Sequence, residues 1–204
     1  MPSARLPAAV IALLFALLAP PAADATHVGF DDLASPSDVA IASLPGVSVS
    51  TALVLDEADL ETLTGIPAAG TFATSGTNGL LNTYAPDIVL TFSVPVTSFS
   101  IDVLSISNDG VTLPILLEAF QGATLEAATT STISNVGDSG YHEETLFIAG
   151  LFTEIRLSTD GVSTSSFWLD SATFTPVPEP GTAALAAAGL ALLSGMARGM
   201  GRRA

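Results

Sequence analysis

A chain of 204 residues with a formal charge of −15 and no cysteine excludes several classes at once. Its field repels nucleic-acid phosphates and anionic lipid, and it offers neither disulfides nor a thiol for catalysis or soft-metal binding. The charge is concentrated: residues 26–176 hold 18 acidic side chains, no lysine and the single Arg156, whereas both ends are long uncharged runs of Ala and Leu that raise the mean hydropathy to +0.58.

The chain opens as an export signal. Arg5 supplies a charged start, residues 8–19 an apolar stretch too short to span a bilayer, and Ala23-Asp24-Ala25 an Ala-x-Ala cleavage site. Removal of 1–25 as a signal peptide leaves Thr26 as the first mature residue. Residues 26–176, about 150 in all, have the size of one domain with a substantial core.

In chain order the domain reads as strands. Phe30-Asp31-Asp32-Leu33 is the expected first strand, followed by a Ser-Pro-Ser turn. Val47, Val49, Thr51, Leu53 and Leu55 alternate as one face of the next. Asp56, Glu57, Asp59 and Glu61 then form an acidic, helical turn that ends near Gly65. It is not an EF-hand loop opening at Glu57, because Thr62 stands where the obligatory glycine belongs. Residues 65–86, rich in Gly, Thr, Ser and Asn, read as a long surface loop anchored by Leu80, Leu81 and Tyr84.

The clearest period-two signal follows. Ile88, Leu90, Phe92 and Val94 alternate up to Pro95, then Phe99, Ile101 and Val103 alternate against Ser98, Ser100 and Asp102. Turns at Ser107-Asn108-Asp109-Gly110 and Gln121-Gly122 separate strands at 111–120 and 123–130. Strands at 144–149, 152–158 and 166–175 complete the set. Eight or nine strands with a turn about every ten residues predict an all-β fold, an antiparallel two-sheet β-sandwich, and specifically a jelly roll.

Val177, Pro178, Glu179, Pro180 and Gly181 punctuate the end of the domain. The two prolines hold this stretch extended and non-helical. Residues 182–197 are then apolar and rich in small side chains, a short transmembrane helix at the lower limit of about 17 residues. Arg198, Arg202 and Arg203 form a basic end that stays cytoplasmic. Together the Pro-Glu-Pro motif, the small-residue apolar helix and the terminal arginines resemble the PEP-CTERM sorting signal of Gram-negative bacteria that make exopolysaccharide. The arginines are interrupted by Gly199, Met200 and Gly201, where the family pattern has a block. An ordinary C-terminal anchor on a Pro-rich stalk is the plainer alternative.

The resemblance implies that an exosortase, a membrane-embedded cysteine peptidase, recognises the tail as a partner. The precursor would pass through the inner membrane, and the product would end at the cell surface or outside the cell. The strands around 90–103, 152–157 and 167–174 are similar to the sandwich domains carried by such proteins, which look like galactose-binding-type carbohydrate modules. An adhesive, carbohydrate-binding or structural role in a biofilm or exopolysaccharide matrix follows from that likeness.

Chemistry-bearing residues are few. The only histidines are His27 and His142, the latter expected in a loop beside Tyr141 and Glu143. No nucleophile motif surrounds it. Glu143 and Glu144 are adjacent and so point to opposite faces of a strand, which rules out a facing acid/base pair between them. No catalytic residues are assigned and the chain is expected not to be an enzyme; a secreted polysaccharide hydrolase or lyase is the alternative. In carbohydrate-module jelly rolls the first and last strands lie side by side and a structural Ca²⁺ sits at their junction, so Asp31 or Asp32 together with Asp170 are the candidate ligands. Their plainer reading is as surface carboxylates or turn caps. Tyr84 and Trp168 are candidate aromatic platforms for a sugar ring, or else members of the core.

Overall fold

The structure, a computed structural model, describes residues 23–31, 33, 37–65, 78–82, 87–107, 114–132, 140–159, 167–178 and 189. The chain divides into two units: Asp24–Val177, and the terminal stretches Met1–Ala23 with Pro178–Ala204. In the first unit the elements are β1 (Thr26–Gly29), β2 (Ser37–Leu44), β3 (Val47–Asp56), α1 (Glu57–Thr64), β4 (Asn78–Leu81) and β5 (Ile88–Ser107), then β6 (Ile115–Gln121), β7 (Thr124–Thr130), β8 (Gly140–Thr159) and β9 (Phe167–Pro176).

Every pairing among the described strands is antiparallel. Hydrogen bonding runs β1-β9-β4-β3-β5-β8-β6-β7, with β2 added on β3 and a second contact between β9 and β5. A sheet this wide buries its apolar face by folding over, and β5 and β8, 20 residues each, run through both layers. Their ladder loses register between Thr91 and Val96 and again between Val96 and Ser98. Pro95 lies in that interval and has no N–H to give. Opposite the break, Gly150 takes φ 154°, which a Cβ would disfavour. Strands that bend at such irregularities are how a sandwich turns its corners. Before the break β5 pairs with β3, and beyond it with β9.

One core fills the sandwich. Val47, Leu90, Phe92 and Ile155 pack with Val28, Phe99, Ile101, Ile148, Leu169 and Phe174 in a single cluster. Phe92 is central to it, with ring centroids 5.0 Å from Phe174, 5.8 Å from Phe99 and 6.2 Å from Phe152. Gly46, at φ 79° in the Pro45-Gly46 turn between β2 and β3, has the left-handed conformation that a proline-glycine turn needs. A Cβ there would stand 3.2 Å from Cζ of Phe174, so the turn is also pressed onto the core.

A second, smaller cluster lies beneath α1. Asp56 caps the helix, its side chain accepting from the Asp59 N–H at 2.8 Å, and Glu57 and Asp59 in the first turn suit the helix dipole. Gly65 at φ 71° ends it. The helix lays Leu60 against Leu55, Leu81, Leu104 and Trp168. Trp168 therefore sits on the opposite face of β9 from Phe167 and Leu169, which belong to the main core.

The expected antiparallel sandwich forms, with differences in detail. The first strand is Thr26–Gly29, one step before the expected 30–33, because these residues pair with β9; Phe30 follows as a fully buried side chain. β2 was hidden by the small residues Ala40, Ala42 and Ser43, which dilute its alternation. The 65–86 stretch contains β4, whose Leu80 and Leu81 are buried as expected. The four strands expected around Pro95 and Gly150 are two long bent ones, and β8 begins early enough to take His142 out of a loop and onto a strand. The single apolar face expected for β3 changes phase: Val47, Val49, Ala52 and Val54 join the main core, while Leu53 and Leu55 join the cluster under α1.

Candidate functional site

Of the sorting residues, Val177 and Pro178 are described, both partly buried. β9 runs to Pro176, and the Val177 N–H then donates to the Pro95 carbonyl at 2.8 Å. Among the described residues, the domain's last backbone bond is thus made at the residue before the Pro-Glu-Pro motif. Glu179, Pro180, Gly181, Arg198, Arg202 and Arg203 lie outside the described residues, as do nearly all of the 182–197 span and of the signal peptide. Among the described residues no helix is long and apolar enough to cross a membrane.

The first and last strands do pair, as the Ca²⁺ expectation requires: Gly29 stands opposite Ser171. Asp31 is exposed just past this ladder, and its Oδ1 accepts from the Asn78 N–H at 3.0 Å. Asp170 is buried at 2% exposure. Asp32 lies outside the described residues. Among the described residues no three His, Asp or Glu side chains gather closely enough to hold a metal ion.

Tyr84 also lies outside the described residues. Trp168 is 1% exposed, beneath α1, which corrects its candidacy as a sugar platform: the pleat that sends Phe167 inward turns Trp168 to the other face, and the helix covers it there. His142 stands opposite Ser105 across β5 and β8, but Ser105 is buried, as a structural hydroxyl would be. Glu144 accepts from the backbone N–H and the hydroxyl of Thr132, at 2.7 and 3.1 Å, and so ties the end of β7 to β8.

A different surface combines exposure with fixed polar groups. In the layer built by β8, β5, β9 and β1, the pleat points Leu146, Ile148, Phe99, Ile101 and Phe174 into the core and their alternates outward. One outward row runs Phe147, Ser100, Thr173, His27. Phe147 is 61% exposed, and the His27 Nδ1 lies 3.2 Å from the Thr173 Oγ1. The next row centres on Asp102. The Thr145 hydroxyl donates to its Oδ1 at 2.6 Å and the Ser171 hydroxyl to its Oδ2 at 2.8 Å. The register break between Ile101 and Val103 sets Asp170 and Ser171 against this one residue, a β-bulge that aims the Ser171 hydroxyl at it. In the third row the Ser98 hydroxyl donates to the Thr175 Oγ1 at 3.0 Å.

The outward placement of Ser98, Ser100 and Asp102 was legible from their alternation with Phe99 and Ile101. Phe147 was not, because Leu146-Phe147-Ile148 is continuously apolar and leaves the phase of the strand open.

No family model and no curated protein matches the chain. Solved structures give distant likenesses. The K2 cleaved adhesin domain of Lys-gingipain is 13% identical with a TM-score of 0.43, over 74% of this chain and 99% of that one. TmCBM61, solved in complex with β-1,4-galactotriose, is 11% identical with a TM-score of 0.40, over 72% and 94%. The catalytic domain of a GH87 α-1,3-glucanase, solved with tetrasaccharides, is 11% identical with a TM-score of 0.41, over 79% of this chain and 30% of that one. At these scores the likeness carries no conclusion about ligand or activity.

Proposed function

We propose that this is an exported protein, sorted by an exosortase through a PEP-CTERM-type tail. In this reading its jelly-roll sandwich serves outside the cell as a non-catalytic, adhesive or carbohydrate-binding module of an exopolysaccharide matrix. The observation that carries the reading is where the domain stops. β9 closes at Pro176 and Val177 makes its bond to Pro95, so a cut at Pro178-Glu179-Pro180 would remove the apolar tail without taking any of the described strands or described core residues. The acidic surface supports the same destination, since it favours solubility and has no attraction to anionic lipid. Replacing Pro178 and Glu179 together by Ala is expected to leave the precursor unprocessed in the membrane fraction of a host that carries an exosortase. Normal processing of that variant, read by the electrophoretic shift, would refute the sorting assignment.

A structural Ca²⁺ belongs to the same proposal. Asp31 or Asp32 with Asp170 would supply carboxylates, and strand-end carbonyls the remaining oxygens. Chelation by EDTA is then expected to lower the melting temperature, and Asp170→Ala to abolish that sensitivity. Identical melting of the wild-type protein with and without EDTA removes the ion.

A further inference from the structure

We propose that the outward face of β8, β5, β9 and β1 is the glycan-binding surface, that Phe147 is its stacking platform, and that Asp102 is its fixed acceptor for sugar hydroxyls. This rests on the carbohydrate-binding reading above and assigns it a place and a ligand class, an uncharged polysaccharide.

Among the described residues, little of the fold's stability rests on Phe147. It stands opposite Ser100, so it has no aromatic or β-branched partner across the strand, and at 61% exposure it gives up most of what burying a ring contributes. Its cross-strand neighbour Ser100 is small and polar, and the ring stays exposed. An exposed aromatic ring among hydroxyls complements the C–H face of a pyranose, while the surrounding polar groups meet the hydroxyls at its edge.

Asp102 supplies the directed part of the recognition. The Thr145 and Ser171 hydroxyls fix both of its oxygens in place, so little side-chain freedom is lost on binding. A carboxylate oxygen that accepts one hydroxyl keeps a second lone pair, which a sugar hydroxyl can use. Charge decides the ligand class. The domain's one Arg or Lys, Arg156, is held by Glu154 at 2.7 Å and stacked 4.4 Å from the Phe120 ring, on strands β8 and β6. The proposed face carries no Arg or Lys side chain to neutralise a uronate or sulfate, and the field of the domain repels both. Four strands roughly 4.8 Å apart make the face about 14 Å wide, room for a run of sugars across the strands.

The test is calorimetric titration of the full-length protein in detergent with cellohexaose, xylohexaose, mannohexaose and laminarihexaose, and with hexagalacturonate as the anionic probe. Binding of at least one neutral probe, and none of hexagalacturonate, is expected. Phe147→Ala is expected to weaken that binding by about tenfold or more, as truncation of a central aromatic anchor does. Asp102→Asn, which keeps the side chain's shape, is expected to weaken it as well, and melting curves establish that both variants are folded. A neutral probe bound equally by the wild type and both variants would place the ligand elsewhere and overturn this site while leaving the carbohydrate reading standing. Preference for hexagalacturonate would overturn the ligand class. No binding of any neutral probe would overturn the site and the carbohydrate reading together.

Discussion

Phe92→Ala is expected to lower the unfolding free energy by about 4 kcal/mol, the middle of the range for deleting a buried aromatic side chain. The reason is its position. Phe92 lies where β5 approaches its bend, and its ring touches Phe99 and Phe174 from the other layer as well as Phe152 on β8. Tilted and edge-on pairs of this kind contribute roughly 0.5–1.5 kcal/mol each beyond area burial. Truncation also leaves a cavity that three further rings cannot collapse into without losing contact with their own strands. For a domain of this size the loss corresponds to a fall in melting temperature of about 10 °C, readable by circular dichroism. A fall of only a degree or two would show that the aromatic cluster is not the centre of the core.

Trp168 has the second large effect, and a pair of variants separates its two readings. Trp168→Ala is expected to cost roughly 3–5 kcal/mol, because it empties the space between α1 and the sheet. Trp168→Phe is expected to change stability by less than about 1.5 kcal/mol. The indole Nε1 is buried with no hydrogen-bond partner among the described residues, so losing it removes a cost of roughly 1–3 kcal/mol that offsets part of the lost volume. Neither variant is expected to alter glycan binding if it remains folded, and a binding loss in folded Trp168→Phe would return this residue to the candidate platforms. As Trp168 is the only tryptophan, wild-type intrinsic fluorescence reports on this cluster directly and is expected to stay constant when glycan is added.

The two residues show how far local pattern carries. Phe92 was legible as core because it sits in an unbroken alternation with Ile88 and Leu90, and a half-buried strand has one solution for such a pattern. Trp168 was not, because Phe167-Trp168-Leu169 is apolar on both faces and the pattern cannot say which face has a cover. That cover is α1, more than a hundred residues earlier in the chain. Phe147 poses the same ambiguity with the opposite outcome: no element among the described residues lies over it, and it is 61% exposed.

β3 shows a further limit. Its period-two reading assumed one neighbouring layer, but the strand pairs with β5 at one end and β4 at the other, and its inward face changes where the neighbours change. Alternation records which side of a strand is buried, not against what.

The amino-acid sequence by itself determined that the chain is acidic, free of cysteine and built mostly of antiparallel strands, because each of these depends on composition or on residues a few positions apart. Only the tertiary structure decided that the terminal strands pair, that Asp102 receives hydroxyls from β8 and β9, that Trp168 is roofed by a helix and that Phe147 is left exposed beside that carboxylate. Those outcomes depend on contacts between residues tens to more than a hundred positions apart, and periodicity holds no record of which distant strand becomes a neighbour.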